Sequence, residues 1–417
     1  MIPVRCCRSL VLAVAMVALP AAVAAAQPVA TFQLPAPTGR LPVGTTRWVV
    51  QDQSRPETFA AGKTRQVEVV AWYPAVASKA ATAPYVRSGM AEVLSFARLA
   101  QLGNAFDGLA HVTTHAVVDA DPAALPMRFP VILFQHGYAG LPSAHTALAE
   151  DLASHGWCVL SVIHPYEATG ARLADGTVIT FLDDQGALRR PIADVFAEWD
   201  PEDATMTAIA AAASEAEQEA LMRGYLATLK NTHLVVTRWV LDTKAVLDRL
   251  PSEGAAGRLA ARLDLARIGA AGHSMGGVAS GQFCVEDRRC KAGLNLDGIP
   301  QYGTMIDRKM PVPFLMVYSG RRGRAGANDL IYRRAASSYV RVDVAGTQHL
   351  DFSDMNFWGG PLRQRGAYGA IAPARAAEVT RTIVREFFGQ EILGQASRLL
   401  SGQAKWADVA VVELRNP

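Results

Sequence analysis

Ala266-Arg267-Ile268-Gly269-Ala270-Ala271-Gly272-His273-Ser274-Met275-Gly276-Gly277 is the stretch on which the fold turns. Its first six residues are mostly apolar and short, as in a strand covered on both faces. Residues 272–276 form G-x-S-x-G, and Gly276-Gly277 open a segment that can continue as a helix. A serine at the tip of a strand-to-helix turn has its hydroxyl pushed out over the sheet edge, provided that the flanking positions carry no side chains. The five-residue pattern alone arises often by chance. A buried strand before it and helix-compatible residues after it make it specific, and Ser274 becomes the candidate nucleophile.

Further strand candidates are 66–73, 129–135, 157–163, 291–296, 313–318 and 339–344, several of them continuous runs of Val, Ile and Leu. Helical spacing falls between them. Residues 144–155 precede one strand; 232–250 precede another, with Val236, Val240, Val246 and Leu250 on one face. Near the end, 374–388 lies between Pro373 and Gly389, the usual start and stop residues of a helix. Strand and helix in alternation predict one catalytic domain over 46–417. With the nucleophile turn it reads as an α/β-hydrolase fold, a mostly parallel central sheet with helices on both faces.

Residues 164–231 break the alternation and are too long for a simple loop. Between Leu173 and Ala220 they hold eleven acidic residues and two basic ones, and 204–220 is a good helix former. The stretch reads as a helical insertion covering an edge of the sheet. It is either a lid over the site or a solvated acidic helix pair.

The N-terminus reads differently. Arg5 and Arg8 form a basic start, residues 10–19 are unbroken apolar, and Ala24-Ala25-Ala26 precedes Gln27. That is the layout of a secretory signal peptide cleaved near Ala26, and the apolar run is half of the roughly 20 residues needed to span a bilayer. Cys6 and Cys7 precede the run and none follows it at the cleavage point, which argues against a lipid anchor. The chain is thus expected to be exported, periplasmic or secreted. Residues 27–45, rich in Pro, Ala and Gly, read as an extended lead-in. Loss of two arginines and no acid takes the formal charge from +3 to +1, so no nucleic-acid partner is expected. Of the remaining cysteines, Cys284 and Cys290 are close enough to bridge in an oxidising compartment, and Cys158, in an apolar run, reads as a buried free thiol.

A serine hydroxyl needs a base, itself oriented by an acid, and on this fold the chain order is Ser, acid, His. After Ser274 the sequence holds one histidine, His349, in a loop behind the last strand candidate. Asp297 ends the apolar run 292–296 and would emerge at the strand's C-terminal edge. Asp329 occupies the position beyond the 313–318 strand where many such folds keep their acid, and it stays open as the alternative. Asp351 and Asp354 lie too near His349 along the chain. The oxyanion hole needs two N–H donors: the amide of Met275, and that of Tyr138 in the strand-end turn Phe134-Gln135-His136-Gly137-Tyr138. His136 reads as structural support for that turn.

Ile268 to Gly277, followed by Gly293-Leu294-Asn295-Leu296-Asp297-Gly298, resembles the platelet-activating factor acetylhydrolases of the plasma type. Gln348-His349-Leu350-Asp351-Phe352-Ser353-Asp354, Phe134-Gln135-His136-Gly137 and the 161–166 turn are similar to the same family, so that residues 125–360 carry the resemblance. It implies Asp297 rather than Asp329 as the acid, and calcium-independent cleavage of short or oxidised acyl chains from phospholipids. Bacterial relatives of that family include broad carboxylesterases and dienelactone- or polyester-cleaving proteins. Residues 79–128 and the acidic insertion depart from it, and these are where a substrate would be chosen.

No cofactor or metal is expected, since H-E-x-x-H, paired C-x-x-C and G-x-x-x-x-G-K-[ST] are all missing from the sequence. The expected partner is a small-molecule or lipid ester. Met90 to Leu109, with Val93, Leu94, Phe96, Leu99, Leu102 and Phe106, could lie weakly on a membrane surface or pack on its own core. A non-catalytic binding protein on the same scaffold is the distant alternative, because fold does not fix function.

Overall fold

Phe129–Gln135 shows how the sheet is covered. All seven residues are buried; Val131 and Leu133 face one hydrophobic core, Ile132 and Phe134 the other. A strand whose period-two pattern is apolar on both sides needs helices on both sides. The computed structural model describes residues 32–299, 303–321 and 323–413; the signal peptide read at 1–26 and residues 27–31 of the lead-in lie outside them.

The strands are β1 (Val43–Pro56), β2 (Thr64–Pro74), β3 (Thr82–Pro84), β4 (Thr113–Val118), β5 (Phe129–Gln135), β6 (Cys158–Ile163), β7 (Ala171–Arg172), β8 (Val178–Ile179), β9 (Leu263–His273), β10 (Cys290–Leu296), β11 (Met310–Ser319), β12 (Ala336–Val344) and β13 (Val409–Glu413). All but the β7–β8 hairpin join one sheet in the order β13-β12-β11-β10-β9-β5-β6-β2-β1-β4-β3. From β6 through β5 to β12 the strands run parallel, and β2 and β13 pair antiparallel on either side. This is an α/β-hydrolase fold. Register then does the positioning. Gln135 pairs with Gly272, and Leu296 with His273, so the turns after β5, β9 and β10 leave the same edge side by side. In such sheets ligands bind beyond the strands' carboxyl ends.

The helices are α1 (Met90–Leu99), α2 (Thr146–Ser154), α3 (Arg190–Glu198), α4 (Glu202–Ala210), α5 (Glu215–Leu226), α6 (Lys230–Asp248), α7 (Gly254–Ala260), α8 (Met275–Glu286), α9 (Asp329–Ala335), α10 (Gly360–Gln364) and α11 (Pro373–Leu393). Residues from α6 and α8 fill one core, and residues from α2 and α11 the other. The helix-forming run 204–220 is broken in two. The first half, α4, stops at Ala210, and Ser214 starts the second by capping α5, its Oγ accepting from the Glu217 amide at 3.2 Å. The first strand starts at Val43, inside the stretch read as a lead-in. Its first four residues, Val43-Gly44-Thr45-Thr46, are all buried, but most of the strand is polar or small and only partly covered, so no long apolar run announces it.

In the insertion, α4 and α5 meet arginines of the body. Arg324 pairs with Glu202 and Asp203, Arg334 with Glu215 and Glu219 (3.1 and 2.6 Å), and Arg223 of α5 with Asp307 (2.7 Å). Of the two readings of Met90 to Leu109, a membrane-facing stripe or packing on its own core, the structure shows the second. Val93, Leu102 and Phe106 are buried in a third cluster with Trp358 and Leu362, Phe96 packs against it, and Leu99 packs against the main core. Only Leu94 of the six is exposed, so the apolar face is already covered by the protein itself. Among the described residues no helix is long and apolar enough to cross a membrane. Cys284 and Cys290 form a disulfide, and Cys158 is free and buried.

Candidate active site

Ser274 stands between β9 and α8 with φ 57° and ψ −128°, a positive-φ conformation that costs a non-glycine residue about 1–3 kcal/mol. The glycines around it make that turn possible. A Cβ on Gly276 would stand 2.2 Å from the Gln135 carbonyl oxygen, and one on Gly298 2.1 Å from that of Ser274, distances that backbone cannot accommodate. The Ser274 amide is held by the Leu296 carbonyl at 2.9 Å.

His349 opens the short helical turn after β12. Its Nδ1–H donates to Asp297 Oδ2 at 2.8 Å, leaving Nε2 as the acceptor, and Ser274 and His349 wall the same cavity. The structure therefore brings Asp297, Ser274 and His349 to one place. Asp297 Oδ1 accepts from the Ser319 amide at 2.8 Å. Asp329 is elsewhere, its carboxylate accepting from Tyr339 Oη and Arg341 Nη1, each at 2.8 Å. Asp351 serves the backbone, accepting from the Gln348 and Gly369 amides at 2.7 Å, and Asp354 accepts from the Ala147 amide at 3.0 Å.

One group on the acid went unread in the sequence. Arg321, two residues past β11, donates to Asp297 Oδ2 at 2.7 Å and places the same Nη2 3.3 Å from His349 Nδ1. Burial alone would raise the Asp297 pKa; the Arg321 charge and the His349 hydrogen bond outweigh it and hold the carboxyl well below the usual carboxylate range. For His349 burial is the largest influence and lowers the pKa. The Asp297 bond raises it, the Arg321 charge lowers it, and the result lies below the ordinary histidine value. No motif marks Arg321. A basic run at 321–324 in the loop beside an acid-bearing strand end is the one local signal.

The oxyanion turn sits against the nucleophile. A Cβ on Gly137 would stand 3.2 Å from Ser274 Cβ. The Ala139 amide is bound by the Glu167 carbonyl and that of Gly140 by the Gly137 carbonyl, both at 2.9 Å; Tyr138, between these fixed neighbours, lines the same cavity as Ser274, and Met275 follows Ser274 at the start of α8. His136 braces this turn from beneath. It is fully buried, its Nε2 accepts from the His164 amide at 3.2 Å, and its Nδ1 lies 2.7 Å from the Gly137 carbonyl, which assigns the proton to Nδ1. Burial pushes its pKa down to about 4, so it is a neutral prop.

Under His136 lies a buried charge network. Asp242 accepts from Arg65 Nη2 (2.6 Å), Arg55 Nη2 (2.8 Å) and His164 Nδ1 (2.8 Å), and Arg65 also reaches Glu57 at 3.0 Å. Removing one partner leaves a charge without compensation in a low-dielectric site, at a cost of about 3–5 kcal/mol. Asp242→Ala is therefore expected to lower the unfolding free energy in urea by about that amount. A loss under 1 kcal/mol would show the network to be dispensable.

The main cavity has a volume of about 150 Å³ and is walled by Phe96 and Leu99 of α1, Phe196 and Trp199 of the insertion, and Leu350 and Met355 behind His349. A smaller one of about 30 Å³ also reaches Ser274 and is walled by Glu202, Thr232 and Arg321. Among the described residues, no three His, Cys, Asp or Glu side chains are grouped to share a metal ion.

A family model described as platelet-activating factor acetylhydrolase, isoform II, matches residues 29–394. A probable 1-alkyl-2-acetylglycerophosphocholine esterase of Arthroderma benhamiae is 23% identical over 310 residues, which are 68% of this chain and 66% of that one. A platelet-activating factor acetylhydrolase of Cavia porcellus is 24% identical over 241 residues, 56% of this chain and 50% of that one. The chain thus spans between half and two thirds of the length of these relatives. Among solved structures, a ferulic acid esterase from Streptomyces cinnamoneus superposes with a TM-score of 0.67 at 28% identity, over 92% of this chain and 99% of the other. With the nucleophile turn, the His349–Asp297 pair and a family match running from residue 29 to residue 394, the chain belongs to the platelet-activating factor acetylhydrolase, isoform II, family of carboxylic ester hydrolases.

Proposed function

We propose that the protein cleaves carboxylic esters of short acyl chains through an acyl-enzyme, phospholipids among them. The observation that carries this reading is Ser274, held at positive φ on a cavity that it shares with His349, whose other nitrogen is fixed on Asp297. Neutral His349 takes the Ser274 proton as Ser274 attacks the ester carbonyl. The oxyanion then forms between the Tyr138 and Met275 amides, His349 protonates the leaving alcohol, and a water activated by the same imidazole frees the acid. Asp297 keeps the imidazole in the tautomer that accepts at Nε2.

A second reading, a broad carboxylesterase for soluble or aromatic esters, is favoured by the aromatic wall of Phe96, Phe196 and Trp199 and by the likeness to a ferulic acid esterase. Hydrolysis of p-nitrophenyl esters from acetate to palmitate, and of short-acyl phospholipid below and above its micelle concentration, separates the two. A peak at short chains with a jump on micelles supports the lipid reading; fast turnover of soluble aromatic esters without a jump supports the second. Folded protein inactive on all of them would sink both.

The base works when neutral, so kcat/KM should rise with pH through the His349 pKa and then level off. Because burial and Arg321 lower that pKa against the opposing pull of Asp297, the acid limb is expected below about 6.5, the ordinary histidine value. Arg321→Gln removes a cation beside the imidazolium and should move the limb upward. A wild-type limb above 6.5, or one that Arg321→Gln shifts downward, would contradict this account.

A further inference from the structure

Two cavities end on the nucleophile, and Ser274, His349 and Trp199 wall both of them. The larger, of about 150 Å³, has exposed Arg365 and half-buried Phe96 and Leu99 in its wall, so it opens toward the surface. The smaller, of about 30 Å³, is walled by described residues that are buried, apart from the half-buried Ser274, Arg321 and His349. Trp199 is the partition between the two. It follows α3, is 7% exposed, and its Nε1–H donates to Thr232 Oγ1 at 3.0 Å. Thr232 is fixed in turn by Glu198, whose Oε2 accepts from the threonine hydroxyl at 2.8 Å. The indole also stands edge-on to the rings of Tyr138 and Phe196, with centroids 5.5 and 5.7 Å away. A ring held at its nitrogen and packed by two others is a fixed wall.

The polar side chains around the small cavity are engaged within the protein. Glu202 pairs with Arg324, Arg321 with Asp297, and Thr232 with Glu198 and Trp199. What remains to meet a ligand is apolar, from Met275, Val278, Ile299 and the indole itself. A group the size of a water takes about 10–15 Å³ on this scale, so the small cavity holds about two such groups and the large one about ten. Which part of the ester goes where follows from the order of events. The alcohol must leave and a water must arrive while the acyl chain stays bound. Alcohol and water therefore need the cavity that opens to the surface, and the closed one is left for the acyl tail. We propose that Trp199 is a specificity-determining residue: by closing the small cavity against the large one, it limits the acyl tail to about two carbons beyond the carbonyl, while the alcohol side is free to be large. This inference rests on the short-acyl reading of the Ser274 site and gives that preference a structural cause.

The test varies the two sides of the ester separately: p-nitrophenyl acetate, propionate and hexanoate on the acyl side, and ethyl, butyl and hexyl acetate on the alcohol side. Wild type is expected to lose about 10-fold or more in kcat/KM from propionate to hexanoate, the effect of a methylene that a pocket does not admit, and not to fall from ethyl to hexyl acetate. Trp199→Ala removes the partition. Its hexanoate-to-acetate ratio should rise about 10-fold over wild type, and its hexyl-to-ethyl ratio should stay within about threefold. Val278→Leu adds a methylene to the small cavity and should lower the propionate-to-acetate ratio about 3–10-fold. Circular dichroism checks folding, and Trp199→Phe, expected to raise the hexanoate-to-acetate ratio about threefold, decides the matter if Trp199→Ala does not fold. An unchanged ratio in a folded Trp199 variant would overturn the partition. So would a Val278→Leu that leaves propionate as good as before, or a Trp199 variant that changes the alcohol series and not the acyl one. Wild type that prefers hexanoate to propionate would instead sink the short-acyl reading, and folded wild type inactive on every ester would remove Ser274 as the nucleophile; the partition falls with either.

Discussion

Ser274→Ala is expected to lower kcat on p-nitrophenyl acetate by about 10⁴- to 10⁶-fold, leaving only what the oxyanion amides and substrate binding provide. The reason is geometric. Ser274 occupies a turn whose shape is fixed by Gly272, Gly276, Gly277 and Gly298, each too close to neighbouring atoms to admit a Cβ. The hydroxyl is delivered to the cavity by the backbone and not by a flexible side chain, so no second residue can drift into its place. Alanine keeps the positive φ, and the fold should survive unchanged by circular dichroism. Steady-state and burst kinetics on the two proteins decide the point. A variant with more than about a tenth of the wild-type rate would move the nucleophile elsewhere.

Asp297→Asn should reduce kcat by about 10⁴-fold near neutral pH, the effect of holding a catalytic histidine in the wrong tautomer. An amide nitrogen facing His349 Nδ1 donates where the carboxylate accepted, which drives the ring proton to Nε2 and removes the acceptor that Ser274 needs. The same substitution takes away the anion that Arg321 contacts at 2.7 Å, so the guanidinium is left beside His349 alone and opposes the imidazolium more strongly. Asp329→Asn is expected to stay within a few-fold of wild type, because its carboxylate is bound to Tyr339 and Arg341. The reverse outcome, full activity in Asp297→Asn and loss in Asp329→Asn, would place the acid on the later strand.

Much of the site could be read along the chain because its parts sit at strand ends. Ser274 is marked by its glycines, Asp297 by the apolar run that it terminates, His349 by being the one histidine after the nucleophile, and Tyr138 by a strand that breaks into His136-Gly137. Each is a local pattern with a local cause. Arg321 has no such cause. Its meaning depends on Asp297 from another segment lying opposite, and no periodicity encodes that. The fold divides in the same way. Central parallel strands such as β5 and β6 are buried on both faces and show as apolar runs, while β1 mixes polar and apolar residues, β3 and β4 are short, and the apolar run of β13 covers only Val409 to Val412. The stripe at Met90 to Leu109 shows the converse limit, since an apolar helix face looks alike in sequence whether a membrane or the protein's own Trp358 covers it.

The groups that break the ester and the groups that enclose it come from different inheritances. Ser274, Asp297 and the oxyanion turn are carried on the ends of buried strands, fixed by backbone hydrogen bonds and forbidden Cβ positions. Phe96, Leu99, Phe196 and Trp199 come from segments whose hold on the rest is side-chain contact and, for the insertion, a belt of arginines around Glu202, Asp203, Glu215 and Glu219. Ion pairs of that kind tolerate rearrangement far better than a strand register does. A lineage could therefore change its diet by rewriting residues 90–111 and 190–226, while the reaction itself passed from one descendant to the next untouched.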